Sequence, residues 1–184
     1  MSTDLTNTSL PYRIAVLCYL RDSDSRMLML HRAKPPNQGM YSPIGGKLEP
    51  ATGESPHGCA IRETFEETGI VVAPGEIRLM GMVSETAYEG ECHWLLFLFE
   101  VTRAIAHDEI ANYEMDEGTL EWLKRTEIDQ LSLPKTDRDI IWPLINQYEG
   151  GYFACHIDCR TEPMTWNVLE GWASTNTLGE STNG

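Results

Sequence analysis

Glu63, Glu66 and Glu67 stand three and four residues apart, so on a helix their carboxylates project from one face. Like charges so placed repel by a few tenths of a kcal/mol per pair, and an arbitrary Glu-x-x-Glu-Glu is most often just a solvated acidic face. Hard divalent cations accept carboxylate oxygens and turn that repulsion into coordination, which makes the trio a candidate site for Mg²⁺ or Mn²⁺. Arg62 lies four residues before Glu66 and eight after Glu54, where it can orient a carboxylate from behind the ligands. The glycine-rich stretch before the helix can approach a phosphate closely. The chemistry open to this set is metal-assisted hydrolysis at phosphorus. No Ser-His-Asp or Cys-His arrangement calls for a covalent intermediate.

The elements that must position these groups follow from local signals. Ser55 can cap a helix, Pro56 suits its first position and Gly69 can sit just past its end. Ile61 and Phe65 would give that helix a packing face. Before it, Tyr12–Leu20 reads as a buried strand, Arg21–Ser25 as a turn and Met27–His31 as a second strand, together a hairpin. A long loop runs from Pro35 through Gly45-Gly46 to Gly53-Glu54. After the helix, Ile77–Ser84 and His93–Val101 read as strands, and Leu120–Leu123 as a shorter one. Asp137–Tyr148 has helical apolar spacing, with Pro143 kinking it or marking its start, and Tyr152–Ile157 reads as a last strand. Strands interleaved with helices predict an α/β or α+β sandwich. The expected organisation is a flexible segment over residues 1–11, one domain over 12–159, and a polar, disordered tail over 160–184.

Composition narrows the partners. The chain of 184 residues suits one domain, and its 28 acidic against 14 basic residues give a formal charge of −14. Such a surface repels DNA, RNA and anionic membranes, because phosphate backbones are held by clustered Lys and Arg. A small anion stays compatible if cations neutralise it locally. The N-terminal MSTDLTNTSLPYR has no basic region followed by an apolar run. The longest mainly apolar stretch, His93–Val101, is far too short to span a bilayer. Five scattered cysteines without a secretory signal predict reduced thiols and a cytoplasmic setting. Cys155-His156-x-Asp158-Cys159 invites a zinc reading, but it falls in a strand-like run with no second ligand pair elsewhere.

The segment around the three glutamates resembles the Nudix box: Gly, five residues, Glu, seven residues, then Arg-Glu-U-x-Glu-Glu-x-Gly-U with U apolar. Glu54, the seven-residue gap, Arg62, Glu63, Glu66, Glu67, Gly69 and Ile70 all match. With each residue type near ~7% in frequency, six fixed identities coincide by chance in roughly 10⁻⁵ of chains this size. Two positions depart from the pattern. Seven residues, not five, separate Gly46 from Glu54, as though Ala51-Thr52 had been added, and Thr64 is only marginally apolar.

The resemblance implies a Nudix-type α/β/α sandwich around a mixed β-sheet. It implies that Glu63, Glu66 and Glu67 hold Mg²⁺, or Mn²⁺, with the backbone carbonyl of Gly45. Glu63 is the first choice of general base, Arg62 and Glu54 would pair to brace the helix, and Lys47 matches a position that contacts substrate phosphate. Beyond the box, Glu114-Met-Asp116-Glu117-Gly118-Thr-Leu-Glu-Trp122 is similar to the family stretch in which an acid precedes a Trp-bearing strand. Glu117 is thus the candidate distal ligand or base, with Asp116 and Glu114 as alternatives. Asp137 matches an Asp that reads the purine edge in the mammalian 8-oxo-dGTP-clearing branch, although a helix cap explains it equally well. The second Asp of that branch is replaced by Arg138, and its base-contacting Asn by Ser42. Tyr41 and Trp142 could stack on a base or pack in the core. The implied activity is cleavage of a nucleoside triphosphate, oxidised or ordinary, to monophosphate and pyrophosphate. ADP-ribose and dinucleoside polyphosphates are the alternatives, followed by a non-catalytic nucleotide-sensing module. A monomer and a homodimer fit the sequence equally.

Overall fold

The computed structural model describes residues 9–174. Its nine strands form two sheets. In chain order these are β1 (Tyr12–Tyr19), β2 (Met27–Arg32), β3 (Tyr41–Ser42), β4 (Ile77–Tyr88), β5 (Cys92–Val101), β6 (Glu114–Met115), β7 (Gly118–Leu123), β8 (Tyr152–Asp158) and β9 (Thr165–Trp172). The larger sheet runs β1-β5-β4-β8-β9 and the smaller β3-β2-β7-β6. Parallel pairing of β1 with β5 and of β4 with β8, beside antiparallel β4–β5 and β8–β9, makes the larger sheet mixed. Helix α1 (Pro56–Thr68) covers one face of it. On the other face lie α2 (Arg125–Ile128), a π-helical turn (Asp137–Ile141) and α3 (Trp142–Gln147). The result is the expected α/β/α sandwich.

Two core clusters fill the spaces between layers. On the α1 side, Val16, Cys18, Phe99 and Val101 meet Cys59 and Ala60. On the α3 side, Tyr19, Val83, Leu98, Phe153 and Ile157 meet Ile140, Ile141 and Ile145. Strand β2 feeds both: Leu28 and Leu30 join the first cluster, Met27 and Met29 the second. It therefore reads as a continuous apolar run instead of an alternating one.

Three local expectations are corrected. The first concerns β1 and β2, which are not a hairpin. A bridge from Arg21 to Met27 joins them at the turn, but β1 then pairs with β5 and β2 with β3 and β7. The turn is held by Asp22, a buried residue whose Oδ1 accepts from the N–H groups of Asp24 and Arg26 at 2.9 and 2.8 Å. Turn chemistry is local, whereas strand partners are chosen by burial.

The second correction concerns Phe65, which is 54% exposed and contributes little packing. The buried side of α1 is instead made of small residues, Cys59, Ala60, Thr64 and Thr68, and these let the helix sit close on the sheet. Thr64 fits its apolar position because its hydroxyl is spent within the helix, donating to the Ala60 carbonyl at 2.7 Å.

The third correction concerns the tail expected to be disordered over 160–184, part of which is a strand. The ordered chain continues past residue 159: Thr165–Trp172 pairs with β8 as an edge strand. Nearly all of β9 is exposed on both faces, so no apolar period announces it. Residues 1–8 of the expected flexible N-terminus and 175–184 of the expected tail lie outside the described residues.

Candidate active site

Helix α1 starts as the sequence predicts, with the Ser55 hydroxyl accepting from the Gly58 N–H at 3.0 Å and Pro56 opening the first turn. It ends at Gly69, whose φ of 78° closes the last turn. Between them Arg62, Glu63, Glu66 and Glu67 face the loop at the edge of β1. That loop is stitched to β1 by Cys18 N–H to Ile44 O at 2.8 Å and Val16 N–H to Gly46 O at 2.9 Å. The intervening Gly45 is thus turned away from β1, and its N–H donates to Glu67 Oε2 at 3.0 Å. No other residue fits at Gly45: φ is 145°, and a Cβ there would lie 2.1 Å from the Val16 carbonyl oxygen. At Gly46 a Cβ would fall 2.3 Å from Glu63 Oε1, so the Glu63 carboxylate occupies that space.

Arg62 binds the acidic groups together. Its Nε and Nη2 grip the two oxygens of Glu54 at 2.8 and 2.9 Å, and Nη1 donates to Glu63 at 2.7 Å and Glu66 at 3.0 Å. Nη2 also reaches the Lys47 carbonyl at 3.2 Å, tying helix to loop. This grip holds the Glu54 carboxyl down at about 2. The two extra loop residues are absorbed in an exposed 3₁₀ turn, Pro50–Thr52. Glu54 still reaches back to the Glu49 N–H at 3.0 Å, so the insertion leaves its pairing with Arg62 intact.

The electrostatics favour a cation. Burial, then the charges of Glu63 and Glu117, push the Glu67 carboxyl up to about 8, against the donated Gly45 N–H. Burial also raises Glu63, against the pull of Arg62. Glu117, on the turn between β6 and β7, is therefore brought from a distant part of the sequence into the field of Glu67. Asp116 instead faces Lys34 at 3.6 Å, and Glu114 is exposed on β6. Among the described residues, no three acidic, thiol or imidazole side chains converge as they stand to hold an ion, and Arg62 lies between Glu63 and Glu66. The donor set, all hard oxygens carrying excess negative charge, nevertheless suits Mg²⁺ or Mn²⁺.

The expected substrate contacts are dispersed. Lys47 is bridged opposite Ala15, and its Nζ lies 6.0 Å over the Trp94 ring, which Arg13 also approaches at 5.7 Å. The Tyr41 ring stacks on His31 with centroids 4.5 Å apart, and its hydroxyl reaches Glu121 at 3.3 Å. Ser42 follows it in β3, half-buried. Trp142 is packed in the core with its Nε1 donating to Asp129 at 2.7 Å. Asp137 is half-buried inside the π-helical turn, after its start at Thr136, and desolvation pushes its carboxyl up to about 7.

Sequence reasoning missed Glu85. It is 2% exposed, burial pushes it up to about 7 against a hydrogen bond from Thr136, and Asp137 adds to the rise. The available signal was an acid two residues from Val83 on an inward-facing strand side.

The NUDIX domain family model matches residues 11–147. The chain is 29% identical over 127 residues to the uncharacterised Nudix hydrolase YvcI of Bacillus subtilis, covering 67% of this chain and 73% of that one. It is similar to the MutT protein of Bacillus halodurans, with a TM-score of 0.64, 27% identity, and 87% and 96% of the two chains covered. It shares its fold with the NUDIX domain of Shewanella oneidensis NrtR in complex with ADP ribose, with a TM-score of 0.58, 13% identity, and 76% and 88% covered. No helix among the described residues is long and apolar enough to cross a membrane. A family match over most of the chain, on a sandwich that sets the matched glutamates against their glycine loop, leads to one conclusion: this protein belongs to the Nudix hydrolase family.

Proposed function

We propose that the protein is a Mg²⁺-dependent pyrophosphohydrolase of the cytoplasm that converts nucleoside triphosphates, oxidised purine forms included, to monophosphate and pyrophosphate. The observation that carries this reading is the acidic face of α1 seated on Gly45-Gly46, with Glu117 near enough for its charge to act on Glu67. In it, Glu63, Glu66, Glu67, Glu117 and the Gly45 carbonyl would hold the cation. Bound there, Mg²⁺ or Mn²⁺ polarises the phosphoryl oxygens, lowers the pKa of water and neutralises the departing pyrophosphate.

The chain's own groups do the rest. Glu63, fixed by Arg62 and fitted against Gly46, takes the proton of the attacking water. Water adds to a phosphorus of the α–β linkage, its bond to the bridging oxygen breaks, and the other phosphate group leaves with the electron pair, giving monophosphate and pyrophosphate. Lys47, at the end of the glycine loop, neutralises substrate phosphate, and Arg62 with Glu54 keeps the helix face in register. Tyr41, Ser42 and Asp137 would contact the nucleoside.

The competing substrates are ADP-ribose, to which a NUDIX domain of the same fold binds in NrtR, and dinucleoside polyphosphates. Retention of every box carboxylate weighs against a purely sensing module. Purified protein incubated with Mg²⁺, the ordinary dNTPs, 8-oxo-dGTP and ADP-ribose decides among them. Pyrophosphate release from a triphosphate supports the proposal. Turnover confined to ADP-ribose replaces it, and binding without turnover in saturating Mg²⁺ moves the chain to the sensing class.

A further inference from the structure

The larger sheet is closed on one side and open on the other. Its β1 edge is covered by the glycine loop, through bridges from Ala15 to Lys47 and from Cys18 to Ile44. Its β9 edge, eight residues long, pairs with β8 and, among the described residues, with nothing on its outer side. The end strands of the smaller sheet, β3 and β6, are only two residues each. A long free edge presents a row of unpaired N–H and C=O groups to any strand that approaches. Lysine, proline and inward charges are the usual means of keeping such an edge apart. Thr165–Trp172 contains no lysine, no proline and a single charge, Glu170. Its one irregularity is a bulge at Leu169, where the register with β8 shifts.

The side chains of this edge are as uncovered as its backbone. Trp166, Leu169 and Trp172 are 48%, 62% and 55% exposed, three of the seven large apolar residues left exposed among those described. The strand is nevertheless firmly seated. Trp172 stacks on Tyr152 with ring centroids 4.7 Å apart, and a Cβ on Gly171 would fall 2.7 Å from Tyr148 Cε1. Trp166 lies opposite Ile157 and Val168 opposite Cys155. Ile157 and Cys155 belong to the core cluster on the α3 side, so Trp166 and Val168 carry that face beyond the end of the core. Charge singles out the same region. The chain carries −14 overall, yet beside this edge Asp158 is matched by Arg160 at 2.9 Å and Glu162 by Lys135.

We propose that β9 is the contact between two copies of this chain, paired antiparallel about a two-fold axis so that the larger sheet continues from one copy into the other. Nothing in this depends on what the active site hydrolyses. A strand paired antiparallel with its own copy matches donor to acceptor throughout, and each side-chain pair occurs twice. Over most of their surfaces two such acidic chains repel, and the nearly neutral edge is where they repel least. Centring the axis on Asn167 sets Trp166 of each copy against Val168 of the other, on one face, with Leu169 at the end of the paired run. It also holds the two Glu170 side chains roughly 20 Å apart, at ~3.4 Å per residue, well beyond the screening length of about 8 Å. An axis on Gly171 would bring them within about 10 Å. A whole Trp covers up to about 250 Å², so each Trp166 contributes roughly half of that. With Leu169 and the strand main chain, the contact reaches on the order of 1,000 Å² over both copies, the lower end for a specific interface. Such an area suits a dimer of micromolar affinity.

The test is sedimentation of the full chain from about 1 to about 200 μM, for the wild type, Trp166→Lys and Leu169→Lys. Thermal melting at the lowest concentration confirms that each variant is folded. The wild type should pass from monomer to dimer with a Kd on the order of 10 μM, and either lysine should weaken the dimer at least about tenfold. Under mild oxidation Asn167→Cys should cross-link to its copy, because residues meeting on the axis have Cβ atoms about 4.5–5.5 Å apart. Glu170→Cys should not. The wild type is the control for the five native cysteines, four of them buried. A chain that stays monomeric throughout the range overturns the proposal and leaves the edge to a strand from a different protein. A dimer that both lysine variants leave intact lies elsewhere on the surface and overturns it equally. Cross-linking through Glu170→Cys but not through Asn167→Cys overturns the axis at Asn167.

Discussion

Carboxylates accumulate at two places in this molecule, and the two are handled in opposite ways. On α1 and the loop before it, Glu54, Glu63 and Glu66 share the fork of Arg62, and Glu67 is left desolvated against a backbone N–H. At Glu85 and Asp137 there is no cation to share among the described residues, and burial is the largest influence on both acids. The first region pairs most of its carboxylates with one guanidinium and leaves Glu67 to receive positive charge from outside. The second is organised to keep protons and exchange hydrogen bonds. One fold thus holds one cluster of acids around a shared guanidinium and another without any basic partner among the described residues.

The sharpest way to break this contrast is to remove charge from the helix. Glu67→Gln should keep the fold and lower Mg²⁺-dependent pyrophosphate release by on the order of 10³-fold, as expected on losing a positioned charge in a hydrolytic site. Near-normal turnover would remove α1 from the chemistry. Removing the shared cation comes next. Arg62→Ala leaves several half-buried carboxylates facing one another and should cost about 3 kcal/mol, a drop in melting temperature of about 6–12 °C for a chain of this length. A melting temperature unchanged in both low and high salt would mean that the fork is ornamental.

A pH series sharpens the contrast further. Glu67 is raised from 4.5 to about 8 in the folded chain, so the folded state holds a proton that the unfolded chain gives up. Its favourable contribution is complete below pH 4.5 and fades as the pH rises toward 8. Glu85 and Asp137, each raised to about 7, act in the same direction. Melting temperature in chelator should therefore fall from pH 5 to 8, and saturating Mg²⁺ should restore the part owed to Glu67 but not the rest. A flat profile in chelator would contradict the burial of all three. The smallest effect belongs to the loop: deleting Ala51 and Thr52 should change stability by less than about 0.5 kcal/mol and leave turnover within about twofold, because that turn is exposed and Glu54 is held from elsewhere. A larger loss would give the insertion a role beyond length.

What was legible in the sequence follows from how local each signal is. The α1 boundaries, its acidic face and the reach from Arg62 to Glu54 depend on residues within a dozen positions of one another, and all were readable. The pairing of β1 with β5 was not, because the Arg21–Ser25 turn looks like a hairpin turn whether or not the flanking strands stay together. Strand β9 escaped notice because it is held by one edge and buries little, so nothing in TWNVLEGW alternates with a core. Glu85 was passed over because an acid in a strand is unremarkable until Val83 is known to point inward beside it. Glu117 was reachable only through family resemblance, since nothing local connects it with Glu67.

The parallel pairing of β1 with β5 also orders events in time. The glycine loop is fastened to one edge of β1, and β1 takes its other hydrogen bonds from a strand that ends at Val101. The residues of α1 precede β5 in the chain, so the loop opposite the helix gains its fixed seat only once β5 has been made. Long-range parallel pairings of this kind form slowly because the intervening chain must first be closed into a loop. The seating of the glutamate helix on its glycine loop is therefore a product of sheet closure rather than a nucleus for it.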